Sequence, residues 1–221
     1  MENNQIKSSS VFTSRWFKII LVIGGIILIA AGLYKIFGIS SGKVSSAFIG
    51  KFNEIHATIG DMGSDMVAVG KLMQGISAKE NSKDYQGAVS DLSTGLDKLA
   101  DLETKANDLT TKAGEFKDMV NALKDPAAKE SGLKFVDLVE QKAAINLKIA
   151  DDTKQMLELG KKYYEDLAAG KKAVFPSAEF AALSQKSSAE LKTANEISAK
   201  FGVADQELAK TAGFQLKSVQ K

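Results

Sequence analysis

The sequence predicts an all-α protein: an N-terminal single transmembrane helix followed by an elongated antiparallel four-helix bundle with coiled-coil-like seams. Three observations carry that prediction. Residues 19–34 form an uncharged, strongly apolar run. From Phe48 to Ile76 the apolar residues recur at alternating steps of four and three, the spacing of a coiled-coil seam. The chain of 221 residues has only two prolines, Pro126 and Pro176. Proline breaks helix interiors, so their scarcity leaves room for very long helices.

The N-terminal elements come first. Residues 1–15 read as a short polar N-tail and residues 16–37 as the transmembrane helix. The 16 uncharged residues between Lys18 and Lys35 span about 24 Å as a helix, short of a hydrocarbon core of roughly 30 Å. Trp16, Phe17 and Tyr34 extend the apolar length and place aromatic rings at both interfaces, while Lys18 and Lys35 reach outward on their methylene stems. These five residues are the expected membrane anchor, with the lipid bilayer as its partner. A cleaved signal peptide ending at Ala30, Ala31 and Gly32 is the competing reading. Against it, Leu33, Tyr34, Ile36 and Phe37 continue the apolar run. Gly24, Gly25, Ala31 and Gly32 put small residues on one helix face, so a homo-oligomer stays open. The lysines on the two sides of the run balance. The short N-tail favours an N-terminus in the cytoplasm and an extracytoplasmic C-terminal domain.

Residues 38–43 read as a Gly/Ser linker, residues 44–213 as the long bundle and residues 214–221 as a C-terminal tail that frays, with a tail resting on the lipid headgroups through Phe214, Leu216 and Val219 as the alternative. The first bundle helix is expected over residues 44–77 on the seam Phe48, Phe52, Ile55, Ile59, Met62, Met66, Val69, Met73 and Ile76. Ser82 is the expected N-cap of a second helix over residues 83–124, with an apolar stripe from Tyr85 to Leu123. Asp125 and Pro126 end it. A third helix, over residues 127–170, carries two adjacent stripes, one through Phe135 and Ile149 and one through Val136 and Leu157. Two stripes mean two neighbours, and Gly170 is its expected stop. The fourth starts after Pro176, with Ser177 as cap. Seven helical glycines, among them Gly60, Gly95, Gly114 and Gly160, imply either close helix crossings or a rod of marginal rigidity.

Composition narrows the function. Cysteine is absent, which removes disulfides, thiol nucleophiles and cysteine zinc sites. Beyond residue 42 there are 25 basic and 26 acidic residues, and Arg15 is the only arginine. Mixed, near-neutral charge leaves no electrostatic footprint for nucleic acid. Gly38, Ser40 and Gly42 match G-x-S-x-G, and Ser40 with Lys43 matches S-x-x-K. Both patterns fall in the expected linker, without the strand-turn-helix elbow the chemistry needs. His56 is the only histidine and reads as a partly exposed helix residue. Asp151, Asp152, Glu165 and Asp166 read as helix-surface carboxylates. No enzyme activity, cofactor or metal is expected.

The expected function is therefore that of a single-pass membrane-anchored helical rod acting through protein–protein contacts, as a scaffold, adaptor or spacer in the cell envelope. The connection at Val174, Phe175 and Pro176 is unusually apolar for a link between helices. It is the expected contact for an unknown protein partner. A ligand-sensing or ligand-binding bundle is the alternative. Residues 84–89 resemble part of a tetratricopeptide helix, which would imply an adaptor, but no 34-residue period follows them.

Overall fold

The computed structural model of the protein describes residues 35–39 and 44–219. The expected N-tail, the expected transmembrane helix as far as Tyr34, linker residues 40–43 and residues 220–221 lie outside the described residues. Four helices make up nearly all of what is described: α1, Ser46–Asn81; α2, Tyr85–Asn121; α3, Pro126–Ala168; and α4, Ser177–Ala212. Two short strands, β1 at Lys35–Ile39 and β2 at Gln215–Val219, pair antiparallel with Lys35 opposite Val219. Among the described residues no helix is long and apolar enough to cross a membrane.

The helices form where their seams predict. All nine apolar seam residues of α1, from Phe48 to Ile76, are buried. α3 packs against both α2 and α4, as its two stripes require. The ends are set by local chemistry. Ser45 caps α1, its side chain accepting from Phe48 N–H at 3.2 Å. Asp125 accepts from Ala127 and Ala128 N–H ahead of α3, with Pro126 in the first turn, where its missing N–H costs no bond. After α3, Gly170 takes a left-handed φ of 71°. Lys171 N–H then bonds back to the Asp166 carbonyl and Gly170 N–H to that of Leu167, a Schellman closure.

Several boundaries differ from the sequence reading. α1 runs on to Asn81, and Asp84 rather than Ser82 caps α2, accepting from Gly87 N–H at 2.9 Å. The Lys79 ammonium ties the two helices together by bonding to the Gly87 carbonyl and to Asp91, so the polar residues 79–81 stay helical. A Cβ on Gly87 would lie 2.0 Å from the Asp84 carboxylate, which is why the cap closes on a glycine. Ahead of α4, the N-cap position is Pro176 rather than Ser177, and no side chain bonds there.

The largest difference is at the chain ends. Lys35, Ile36 and Phe37 are strand rather than the last turn of a spanning helix, and Gly38 and Ile39 are strand rather than linker. Residues 214–219 are not frayed: Phe214 is buried, and Gln215–Val219 pairs with β1. The partners are about 180 residues apart in sequence, so no local periodicity announces the pairing.

The start of α1, the end of α2, the start of α3 and the end of α4 meet at one end of the bundle, the base. There Phe48, Phe52, Phe116, Phe135, Phe201 and Phe214 form one aromatic cluster with ring centroids 4.6–6.4 Å apart. The opposite end, the tip, holds the α1–α2 and α3–α4 connections. The glycines divide in two. A Cβ on Gly132 would come within 2.7 Å of Val120, and one on Gly95 within 2.9 Å of Leu157, so helices cross closely there. Gly60, Gly114 and Gly202 face open space.

Candidate functional site

At the tip, α3 ends and α4 begins across the connection at residues 169–176. Val174 is 86 % exposed, the most exposed large hydrophobic among the described residues. Beside it, Phe175 is partly buried. Its ring meets Tyr163 edge-on at 5.3 Å and Phe180 at 5.3 Å. Phe175 precedes the N-cap and Phe180 is the fourth residue of α4, so this contact is a hydrophobic staple fixing how the chain enters the helix. Pro176 sits between them at the N-cap.

The staple is one end of an aromatic ladder. Tyr163 touches Tyr164 at 5.0 Å, and Tyr164 stacks on Tyr85 at 6.4 Å. Tyr164 is fully buried, and its hydroxyl donates to Glu80 Oε2 at 3.2 Å. Burial pushes the Tyr164 phenol far up, and the Glu80 carboxylate adds to the shift. The Glu80 carboxyl is raised by its own burial, against the hydrogen bond from Tyr164. Tyr164 therefore stays a neutral donor to Glu80. The ladder joins α2, α3 and α4, with Glu80 of α1 behind it. Tyr85, Tyr163 and Phe175 remain partly exposed, and the exposed Lys83, Lys162 and Lys172 belong to the same end. Rigid amphipathic rings with a polar rim are what protein-contact surfaces are made of.

Of the expected anchor, Trp16, Phe17, Lys18 and Tyr34 lie outside the described residues, and Lys35 opens β1. Ser40 also lies outside them.

His56 departs from expectation, being buried at 9 % exposure. Its Nε2 lies 3.0 Å from Asp205 Oδ1, among the rings of Phe52, Phe135 and Phe201. The cause is tertiary: α4 returns along the base of α1 and delivers Asp205, 149 residues away. Lys142 of α3 completes the cluster. It is 5 % exposed, donates to Ser198 Oγ at 2.7 Å and lies 5.5 Å from the Phe201 ring centre. Burial pushes the Lys142 ammonium down to about 8, with Asp205 opposing. Burial raises Asp205, opposed first by the His56 hydrogen bond and then by the charges of His56 and Lys142. A His–Asp pair orients an imidazole for proton transfer, but the chemistry also needs a nucleophile within reach and a substrate path. Phenyl rings line this pair, and the nearby Ser198 hydroxyl is engaged by Lys142.

Asp152 likewise is not a surface carboxylate. It is fully buried and bonds to Lys186 at 2.5 Å. Among the described residues no three His, Asp or Glu side chains are grouped to hold a metal ion. A cavity of about 690 Å³ opens at the base, walled by Val44, Phe48, Met119 and Leu123 together with Asp125 and Thr211.

The sequence reading found Val174 and its neighbours but missed Tyr85, Tyr163, Tyr164, Asp205 and Lys142. Tyr85 reads as a stripe residue, which hides that three of the chain's four tyrosines gather at one end. Compared with known protein families, with curated proteins and with solved structures, the chain matches none.

Proposed function

We propose that this chain is a membrane-anchored helical rod that holds a protein-docking tip away from the bilayer. The observation that carries the reading is the placement of the apolar run. It ends at Tyr34, one residue before β1. β1 packs on α1 and pairs with β2, which follows the Phe214 of the basal cluster. The base thus adjoins the anchor, and the tip stands at the far end of helices of 36 to 43 residues, about 54 to 65 Å long. The extracytoplasmic side for the bundle and the scaffold, adaptor or spacer role belong to the same proposal.

Exposure of Val174 is what favours the tip as the working surface. An exposed valine continuous with partly exposed aromatic rings is what a docking surface presents. Two measurements test the reading. The full-length chain should stay in the membrane pellet after alkaline carbonate washing; release into the supernatant would end the anchor reading. A photo-crosslinking residue at Val174 should trap one discrete adduct in native membranes, and Thr111, exposed on the side of α2, should trap none. Equal labelling from both positions would end the tip reading.

A further inference from the structure

Among the described residues, four buried side-chain oxygens lack a hydrogen-bond partner, and three of them belong to neighbouring stretches of α3 and α4. They are Asp152 Oδ2, Ser187 Oγ and Glu190 Oε2. Asp152 is 0 % exposed and Ser187 1 %. On α4, Lys186 and Glu190 are one helical turn apart and both reach Asp152, the first by a 2.5 Å bond to Oδ1 and the second carboxyl to carboxyl. Ser187 lies on the same side of α4, one turn before Glu190. Two facing carboxylates are two acceptors without a donor, and like charges at that separation do not both ionise readily. One proton between them removes the repulsion and supplies the missing donor.

The position matters because this part of α4 is held more lightly than the rest of the helix. From Ser177 to Glu196 only Phe180 and Ser187 are buried, whereas seven residues are buried between Ile197 and Ala212. Beyond Phe180 the apolar contacts there are only partly buried, at Leu183, Leu191 and Ala194, so the polar cluster weighs heavily in whether the outer half of α4 stays on α3.

We infer that a proton shared by Asp152 and Glu190 clasps the outer half of α4 onto α3, so that this half is fastened at acidic pH and released as pH rises. The charged groups facing the pair are Asp151 and Lys148 from α3 and Lys186 from α4. Lys186 neutralises one carboxylate, not two, and its side chain is 57 % exposed. The Glu190 carboxyl lies above its ordinary value of 4.5, first through burial and then through Asp152, with Lys186 and Lys148 opposing. A carboxyl that holds its proton more tightly when folded contributes most at low pH. Its contribution is lost as pH rises from about 4.5 through the raised folded value. The consequence is local: α4 loosens between the clasp and the tip, while the base stays closed around Phe201 and Asp205.

Hydrogen exchange on the full-length chain tests this. Rates are corrected for the intrinsic pH dependence of exchange and read separately for residues 181–196 and 197–212. Raising pH from about 5 to about 8 should lower protection of the first segment by about tenfold or more, and by clearly more than that of the second, which holds the raised Asp205 but also seven buried residues. Glu190→Gln, which keeps a hydrogen-bond donor at every pH, should hold the first segment protected and flat. A wild-type profile that is flat over residues 181–196 would overturn the inference, whether or not the variant folds well. So would a Glu190→Gln profile that still falls with pH. Protection regained at about pH 8 on adding millimolar calcium would show that a cation, not a proton, bridges the pair.

Discussion

Two halves of one helix, α4, are built on different principles. Between Ile197 and Ala212 it buries seven residues, among them Phe201 and Leu208, and contributes Asp205 to His56. Between Ser177 and Glu196 it buries two, and its strongest ties are Lys186 on Asp152 and the Phe175–Phe180 staple. The inner half is fixed mainly by area and aromatic packing, with the buried His56, Asp205 and Lys142 set within it. The outer half rests on less apolar contact and more on a few polar groups, which do respond to pH and salt. One continuous helix thus combines a stable root with a conditional arm, and the arm lies nearest the exposed Val174.

The comparison can be broken hardest at the base. Phe135 is fully buried and meets Phe52, Phe116, Phe201 and His56. Phe135→Ala should cost about 4 kcal/mol in denaturant unfolding, the range for deleting a core aromatic ring. If the two halves are as different as described, Leu183→Ala in the outer half, where the side chain is only partly buried, should cost about 1 kcal/mol or less. Equal losses would remove the distinction.

His56→Ala comes next. It strips Asp205 of its partner in a site where Oδ2 already has none. Removing one member of a buried pair costs about 3 kcal/mol. Thermal unfolding should show that loss, and His56→Gln, which can still donate to Asp205, should recover part of it. A neutral His56→Ala would mean that the cluster does not secure α4 to α1.

Lys142 gives a pH signature opposite in sign to that of the clasp. Its folded value of about 8 lies below the ordinary 10.5. The folded state therefore binds the proton less well than the unfolded one, and the cost of the charged form is fully present below pH 8. It is relieved as pH rises toward 10.5, so stability should gain about 1.5 kcal/mol between pH 8 and 9.5 from this group. Lys142→Met should abolish that gain. Unchanged pH dependence in Lys142→Met would detach the effect from the base.

The smallest expected effects concern the glycines. Gly60→Ala and Gly114→Ala meet nothing within 4 Å and should each stabilise by about 0.5–1 kcal/mol, since alanine loses less backbone entropy on folding. Gly132→Ala, whose Cβ would meet Val120 at 2.7 Å, should instead lower the melting temperature. Similar responses at all three would mean that the close α2–α3 crossing does not constrain the bundle.

The helices are legible in local sequence. Seam spacing, the break between helices at Asp125 and Pro126 and the glycine stop at Gly170 are local signals acting over a few residues, and each recurs in the structure. The sequence also pointed to Val174 and Phe175, because an apolar connection between helices stands out without any knowledge of neighbours. Only the tertiary structure decided which polar residues are buried and what they meet. His56 and Asp152 look like surface residues in sequence because their partners, Asp205 and Lys186, arrive 149 and 34 residues later on a helix packed alongside. The same holds for β1 and β2, whose five-residue strands are too short and too far apart to be paired by pattern. Helix formation is read from near neighbours along the chain, whereas desolvation of a charge and the register of a strand depend on what packs against them. That difference in range is why the rod was legible and its polar fastenings were not.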